Sequence, residues 1–230
     1  MNEVTLTFQV DTKSGSAQRD IAVREAVIAG WTGRDVVALE KHIVELEALG
    51  VARPASTPIF YRVAAARLSQ VGYIEVSGSE SSGEVEFVLL SAGGRRYVGV
   101  GSDHTDRKVE TYGVTVSKQM CEKPIAPVLW EWDEVAVHWD ELVLRSYVMD
   151  KDEWSLYQEG PVSAMRAPAD LVARYARSET LPEGTAMFCG TLAARGGIRP
   201  SSRFWFELED PVLGRTIRHR YDVVELPVHD

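Results

Sequence analysis

Glu84 and Glu86 stand two residues apart, in Glu84-Val85-Glu86, at the head of the apolar run Phe87-Val88-Leu89-Leu90. Side chains two apart on a strand share a face, so both carboxylates would point the same way. Taken alone, such a pair is most simply the solvated face of a strand. Asp103 alters that reading. It follows a second apolar run, Tyr97-Val98-Gly99-Val100-Gly101, reached from the first through the turn-forming pair Gly93-Gly94. If the two runs pair, Asp103 approaches the glutamates. Three carboxylates gathered at low dielectric repel one another, and must take up protons or a cation. An all-oxygen donor set suits a hard ion (Mg2+, Mn2+ or Ca2+) better than Zn2+.

A second pair with chemical potential is His42 and Glu45, three apart on a predicted helix and therefore on one face. An imidazole oriented by a carboxylate is a competent base near neutral pH. By spacing alone the pair is more simply an exposed helix contact, contributing about a few tenths of a kcal/mol. His104 adjoins Asp103, while His138, His219 and His229 carry no pattern.

The elements that must position these groups follow from periodicity. Residues 3–10 alternate as a half-buried strand does, Asp11 to Arg19 reads as a polar loop, and 21–30 as a further strand. Thr32 and Asp35 resemble a capping box, after which Val36, Leu39, Ile43 and Leu46 recur at helical spacing over 33–49, with Gly50 placed to stop the helix. The prolines of 52–58 mark a loop. From Ile59 to Val148 short Val, Ile, Tyr and Phe runs predict mainly strands, with turns at Gly78–Gly83 and Gly93-Gly94. Pro168 to Arg177 reads as a helix with proline at its start, and 184–226 as strands.

Composition narrows the function classes. The chain has 230 residues and a formal net charge of −9, with no basic stripe, which argues against duplex nucleic acid and anionic membranes as partners. No apolar run is long enough to span a bilayer, and Met1 to Val10 lacks the basic and apolar regions of a signal peptide. The two cysteines, Cys121 and Cys189, make no disulfide framework or metal spacing and read as small buried hydrophobes, so a cytoplasmic location is expected.

Glu84-Val85-Glu86 followed by Tyr97-Val98-Gly99-Val100-Gly101-Ser102-Asp103-His104-Thr105-Asp106-Arg107 resembles the metal signature of the fumarylacetoacetate hydrolase superfamily. There an E-x-E strand is followed by a strand ending in an Asn-Asp-x-Ser-x-Arg-like turn. Ser102 stands where the family has Asn, and Thr105 where it has Ser. The resemblance implies Glu84, Glu86 and Asp103 as ligands of Mg2+ or Mn2+, with Ca2+ as a further candidate. It also implies Arg107 as a substrate contact, with Glu110 where the family has Gln. Lys123 matches the family's catalytic lysine. Gly190-Thr191-Leu192 is similar to its Gly-Thr-Pro loop, which makes Thr191 a substrate contact. His42 and Glu45 match a water-activating His-x-x-Glu pair on a lid helix, and Pro58-Ile59-Phe60-Tyr61-Arg62 resembles the strand after it.

The fold so implied is α+β, mainly β: a rolled mixed β-sheet of the family's C-terminal domain type, with a small N-terminal lid portion. Residues 1–58 would carry N-terminal strands and lid helix and 59–230 the catalytic roll, in one structural unit. The family usually forms dimers with sites near the interface, so a homodimer is expected. The implied activity is hydrolysis of a C–C bond in an acylpyruvate-like 2,4-dioxo acid through a metal-stabilised enolate. Decarboxylation, hydration or isomerisation of a related oxo acid would use the same metal site. The departures at Ser102, Glu110 and Leu192 also leave open a non-catalytic module that binds metal and oxo acid.

Overall fold

Leu6, Phe8 and Val10 turn inward from the first strand, Val4–Thr12 (β1), as its alternation predicts. The structure is a computed structural model; it describes residues 3–48 and 53–229, without the side chains of His42, Glu45, Leu46 and Ala48. The stretch Asp11 to Arg19 is not the expected loop. Gly15–Val23 (β2) pairs antiparallel with β1 from Thr12↔Gly15 to Val4↔Val23, leaving only Lys13 and Ser14 as the turn. β2 is an edge strand whose first six residues are exposed, so main-chain pairing rather than an apolar face holds it. The strand expected over 21–30 is broken at Arg24. Glu25–Gly30 (β3) starts afresh, with the Gly184 carbonyl accepting from the Arg24 and Glu25 amides at 2.8 and 3.1 Å.

Helix α1, Val36–Ala48, is capped by Asp35, whose Oδ1 accepts from the Val37 and Ala38 amides at 2.9 and 3.0 Å. The expected box led by Thr32 is absent, because Thr32 is buried against Gly190 instead. Ile43 anchors the helix at 2% exposure, whereas Val36 is 58% exposed and so not part of the packed stripe. Gly50 lies outside the described residues.

The remaining longer strands are Ile59–Val63 (β4), Tyr73–Ser77 (β5), Val85–Ala92 (β6), Arg95–Ser102 (β7), Val128–Glu131 (β8), Val143–Asp150 (β9), Glu153–Pro161 (β10), Thr185–Phe188 (β11), Arg203–Asp210 (β12) and Arg215–Leu226 (β13). Between β7 and β8, where strands were expected, lie two short helices, Arg107–Glu110 (α2) and Val114–Met120 (α3). The helix expected at 168–177 is Pro168–Ala176 (α4), with proline in its first turn and Arg177 in the left-handed conformation, φ 52°, at its end.

Eight strands form one mixed sheet in the order β2-β1-β8-β7-β6-β11-β3-β4, parallel at β1/β8 and β11/β3. Residues 4–30 therefore share a layer with strands from the rest of the chain. A five-stranded sheet, β10-β9-β12-β13-β5, packs on one face, where Phe87 and Leu89 meet Phe204, Phe206 and Leu208. The other face makes its own core. Phe8 and Ile21, from one edge, share a cluster with Tyr61 and Val63 from the other, and with Val88, Leu90 and Phe188 from the middle. Opposite edges can meet in one cluster only if the sheet is curled, and twist plus antiparallel coiling bends large sheets in this way. The result is mainly β, with a rolled sheet and few helices among the described residues. Both cysteines are buried as expected. No helix of the described residues is long and apolar enough to cross a membrane.

Candidate functional site

β6 and β7 form a hairpin whose turn is Gly93-Gly94, with φ of 61° and 68°. Two successive positive φ values are what a two-residue turn needs to match strand twist, and glycine adopts them without a Cβ clash. The register pairs Val85 with Ser102 and Glu86 with Gly101, and the Asp103 amide donates to the Glu84 carbonyl at 2.9 Å. The sequence-based pairing is therefore realised. Glu84 and Glu86 lie in phase with Val88 and Leu90, on the inner side of the roll. Carboxylate oxygens of Glu84, Glu86 and Asp103 all fall within 4.8 Å of one another.

Cations and dipoles surround this cluster. Asp103 is fully buried: its Oδ2 accepts from the Lys118 ammonium, and its Oδ1 lies 3.1 Å from Lys123 Nζ. Lys118 Nζ also stands 3.8 Å from Glu84 Oε2. Lys123 is fixed further by donating to the His104 carbonyl at 2.5 Å. Arg107 bridges the glutamates at the rim, with Nη2 3.1 Å from Glu84 Oε1, Nη1 2.9 Å from Glu110 Oε2, and Nε donating to Ser82 Oγ at 2.7 Å. Glu86 Oε2 accepts from the Gly190 amide at 2.8 Å.

The charge states follow. Burial, then repulsion from Asp103, pushes the Glu86 carboxyl well above the ordinary range. Burial pushes Asp103 the same way, but Lys118 and Lys123 outweigh it and hold that carboxyl down at about 2. Burial lowers both lysines. For Lys118 the attraction of Asp103, Glu84 and Glu86 overcomes it and the ammonium is stabilised, whereas for Lys123 burial prevails. His104 is neutral: burial, then Lys123 and Arg107, lower its pKa to about 3. Its Nδ1 lies 2.8 Å from the Tyr221 hydroxyl and its Nε2 2.8 Å from Ser81 Oγ, and Tyr221 also reaches Ser102 Oγ at 2.9 Å.

These residues fit a hard cation. The donors are all oxygens. Asp103 Oδ1 is buried with the Lys123 ammonium at 3.1 Å, and Glu86 is a carboxyl that only nearby positive charge would keep ionised. Of the groups expected from sequence, Glu84, Glu86 and Asp103 converge, Lys123 meets them through Asp103, Arg107 through Glu84, and Glu110 touches the group through Arg107. Thr191 sits beside it, its hydroxyl donating to the Val85 carbonyl at 2.7 Å and accepting from Gln158 at 2.8 Å. The side chains of His42 and Glu45 lie outside the described residues. Lys118 and Gln158 were not anticipated. Gln158 Oε1 accepts from the Val85 amide at 3.0 Å, tying β10 to the head of β6. Lys118 lies on the short helix Val114–Met120, within a stretch whose Val and Tyr content predicts strand, so local pattern gives its side chain no direction.

Fold and site together define a mainly β protein whose rolled sheet carries a buried carboxylate cluster at one end of a hairpin. The chain belongs to the family described as a protein of unknown function, DUF2848, which matches residues 29–221. No curated protein matches it. Among solved structures, Cg1458 is similar at 12% identity, covering 97% of this chain and 100% of that chain with a TM-score of 0.64. A 2-keto-3-deoxyarabinonate dehydratase is similar at 15% identity, covering 92% of this chain and 77% of that chain, TM-score 0.67. A third, 2-keto-3-deoxy-D-arabinonate dehydratase complexed with magnesium and 2,5-dioxopentanoate, gives 15%, 92%, 77% and 0.64. At such identities the likeness is one of fold.

Proposed function

We propose that this chain is a divergent member of the fumarylacetoacetate hydrolase superfamily and a divalent-cation-dependent enzyme acting on a small 2-oxo acid. The observation that carries this reading is the convergence of Glu84, Glu86 and Asp103 within 4.8 Å, beside Arg107 and Lys123. A similarly folded dehydratase solved with magnesium and a dioxo acid supports the choice of ion and ligand class. Mg2+ or Mn2+ held by the three carboxylates would act as a Lewis acid toward the carboxylate and keto oxygens of the substrate.

The chain's own residues divide the remaining work. Arg107, at the partly open rim, binds a substrate oxyanion, with Glu110 and Ser82 fixing its plane. Lys123, locked by the His104 carbonyl, balances negative charge that develops on a substrate oxygen. Thr191 and the Gly190 amide shape the wall next to Glu86. In the hydrolytic version His42, oriented by Glu45, takes a proton from water, and the resulting hydroxide adds to the more distant carbonyl. The C–C bond then breaks, and its electron pair stays with the departing 2-oxo fragment.

A second reading is dehydration: loss of a proton beside the ketone and of a hydroxyl one carbon further on, with no activated water. The fold shared with a dehydratase favours it. An activity screen with Mg2+ or Mn2+ across acylpyruvates, 3-deoxy-2-oxo sugar acids and oxaloacetate separates the two. Pyruvate plus a carboxylic acid means hydrolysis, and a dioxo acid without pyruvate means dehydration. No turnover of any 2-oxo acid with either ion overturns both.

A further inference from the structure

We propose that the Lys118 ammonium is a tethered stand-in for the divalent cation, occupying the carboxylate cluster in the metal-free protein and leaving it when the ion binds. This rests on the metal-site reading above. Three cationic side chains touch the cluster, and they are held differently. Arg107 has anchors beyond Glu84, in Ser82 and Glu110. Lys123 is bound to the His104 carbonyl and comes from the two-residue strand Lys123–Pro124, which pairs with Leu68–Ser69, so both its ammonium and its backbone are anchored away from the carboxylates. Lys118 has no such anchor. Its contacts are the carboxylates themselves, Asp103 Oδ2 and Glu84 Oε2, and the face of Tyr61, whose centroid lies 5.9 Å from Nζ.

The positions conflict with an incoming ion. Lys118 engages Asp103 Oδ2 and stands 3.8 Å from Glu84 Oε2, while the three acids offer their oxygens within a span of 4.8 Å. A divalent ion on those oxygens would lie within a few ångströms of the ammonium, in a site where 8% of the Lys118 side chain meets solvent. At low dielectric that repulsion is strong. Charge leads to the same conclusion. With the ion bound and Glu86 ionised, Glu84, Glu86, Asp103 and Glu110 face the two charges of the ion and those of Lys118, Lys123 and Arg107, and withdrawal of Lys118 removes the one surplus positive charge. Lys118 is also the group able to withdraw. Its four-carbon stem is flexible, and it rides on the seven-residue helix α3 rather than on the sheet. The arrangement makes the ammonium and the ion alternative occupants. It keeps the metal-free cluster from self-repulsion and weakens metal binding in the same step.

Titrating Mn2+ into wild type and Lys118→Met by calorimetry tests this. The variant is expected to bind at least about tenfold more tightly, because a competing charge is gone. Equal or weaker binding by the variant, with wild type still binding, overturns the stand-in role and leaves the metal site intact. Failure of both to bind overturns the metal site and this inference together. A second measurement needs no variant: reductive methylation of wild type with and without saturating Mg2+, read by mass spectrometry. Lys118 labelling should rise several-fold with the ion while Lys123 stays protected. Unchanged labelling of Lys118 at saturation overturns the proposal even if the Met variant does not fold.

Discussion

Asp103 accepts from one buried ammonium and faces a second, so its charge serves the fold as well as a cation. Asp103→Asn would leave Lys118 and Lys123 buried against a neutral amide. Breaking a buried pair from one side costs on the order of 3–5 kcal/mol, and urea denaturation should show it, with Mn2+ binding lost in calorimetry. A loss under about 1 kcal/mol would mean that the lysines find other partners. His104 gives a pH signature in the chelated protein. Its folded pKa is about 3 against an ordinary 6.5. Between those values the unfolded chain binds a proton that the folded site excludes, so stability falls as pH drops below 6.5. The His104 share is about 1.4 kcal/mol per pH unit, and it is level above pH 6.5. Denaturation midpoints from pH 8 to 5 should show a shallower slope in His104→Gln, and an identical slope would refute the assignment. His42→Ala and Glu45→Ala should each slow hydrolysis by about 10²–10⁴ with Mn2+ affinity nearly intact. Wild-type hydrolysis rates in both would remove the pair from the chemistry and leave it an ordinary helix contact.

The loop after β11 positions the site from outside the hairpin. Gly190 has φ 97°, and a Cβ there would come within 1.7 Å of Thr32 Oγ1. Gly190→Ala must therefore shift the loop and pull its amide from Glu86. We expect a loss of about 1–3 kcal/mol together with weaker Mn2+ binding. Gly93→Ala is the control. It also replaces a positive-φ glycine, but nothing lies within 4 Å of the added Cβ. It should cost about 1–2 kcal/mol and leave metal affinity alone, because the turn is roughly 30 Å along the strands from Asp103. If both variants weaken metal binding alike, the Gly190 contact has no special part.

At the scale of the molecule, the curled eight-stranded sheet joins its two edges through one core, so residues 4–30 are built into the same layer as the site-bearing hairpin. The proposed oxo-acid chemistry is also expected to come with a symmetric dimer. Light scattering of the purified protein at micromolar concentration should give twice the 25.5 kDa chain mass. A monomer there would overturn the expected dimer.

Short-range pattern was enough for the parts of the site that a single hairpin builds. Two apolar runs and a Gly-Gly turn specify the register, and the register alone brings Asp103 to Glu84 and Glu86. The helix at Pro168 and the burial of both cysteines were legible for the same local reasons. What escaped the sequence depends on partners distant along the chain. The first six residues of β2 are exposed and offer no apolar face, so only their pairing with β1 makes that stretch a strand. Thr32 looked like a helix cap and is instead the floor beneath Gly190. Lys118 is fifteen residues beyond Asp103 on a short helix, and nothing local distinguishes a lysine that snorkels to water from one buried in a carboxylate cluster. Periodicity reports which face a side chain is on. Which charge meets it there, and so whether the cluster holds a proton, an ammonium or a metal ion, is decided by chain closure in three dimensions.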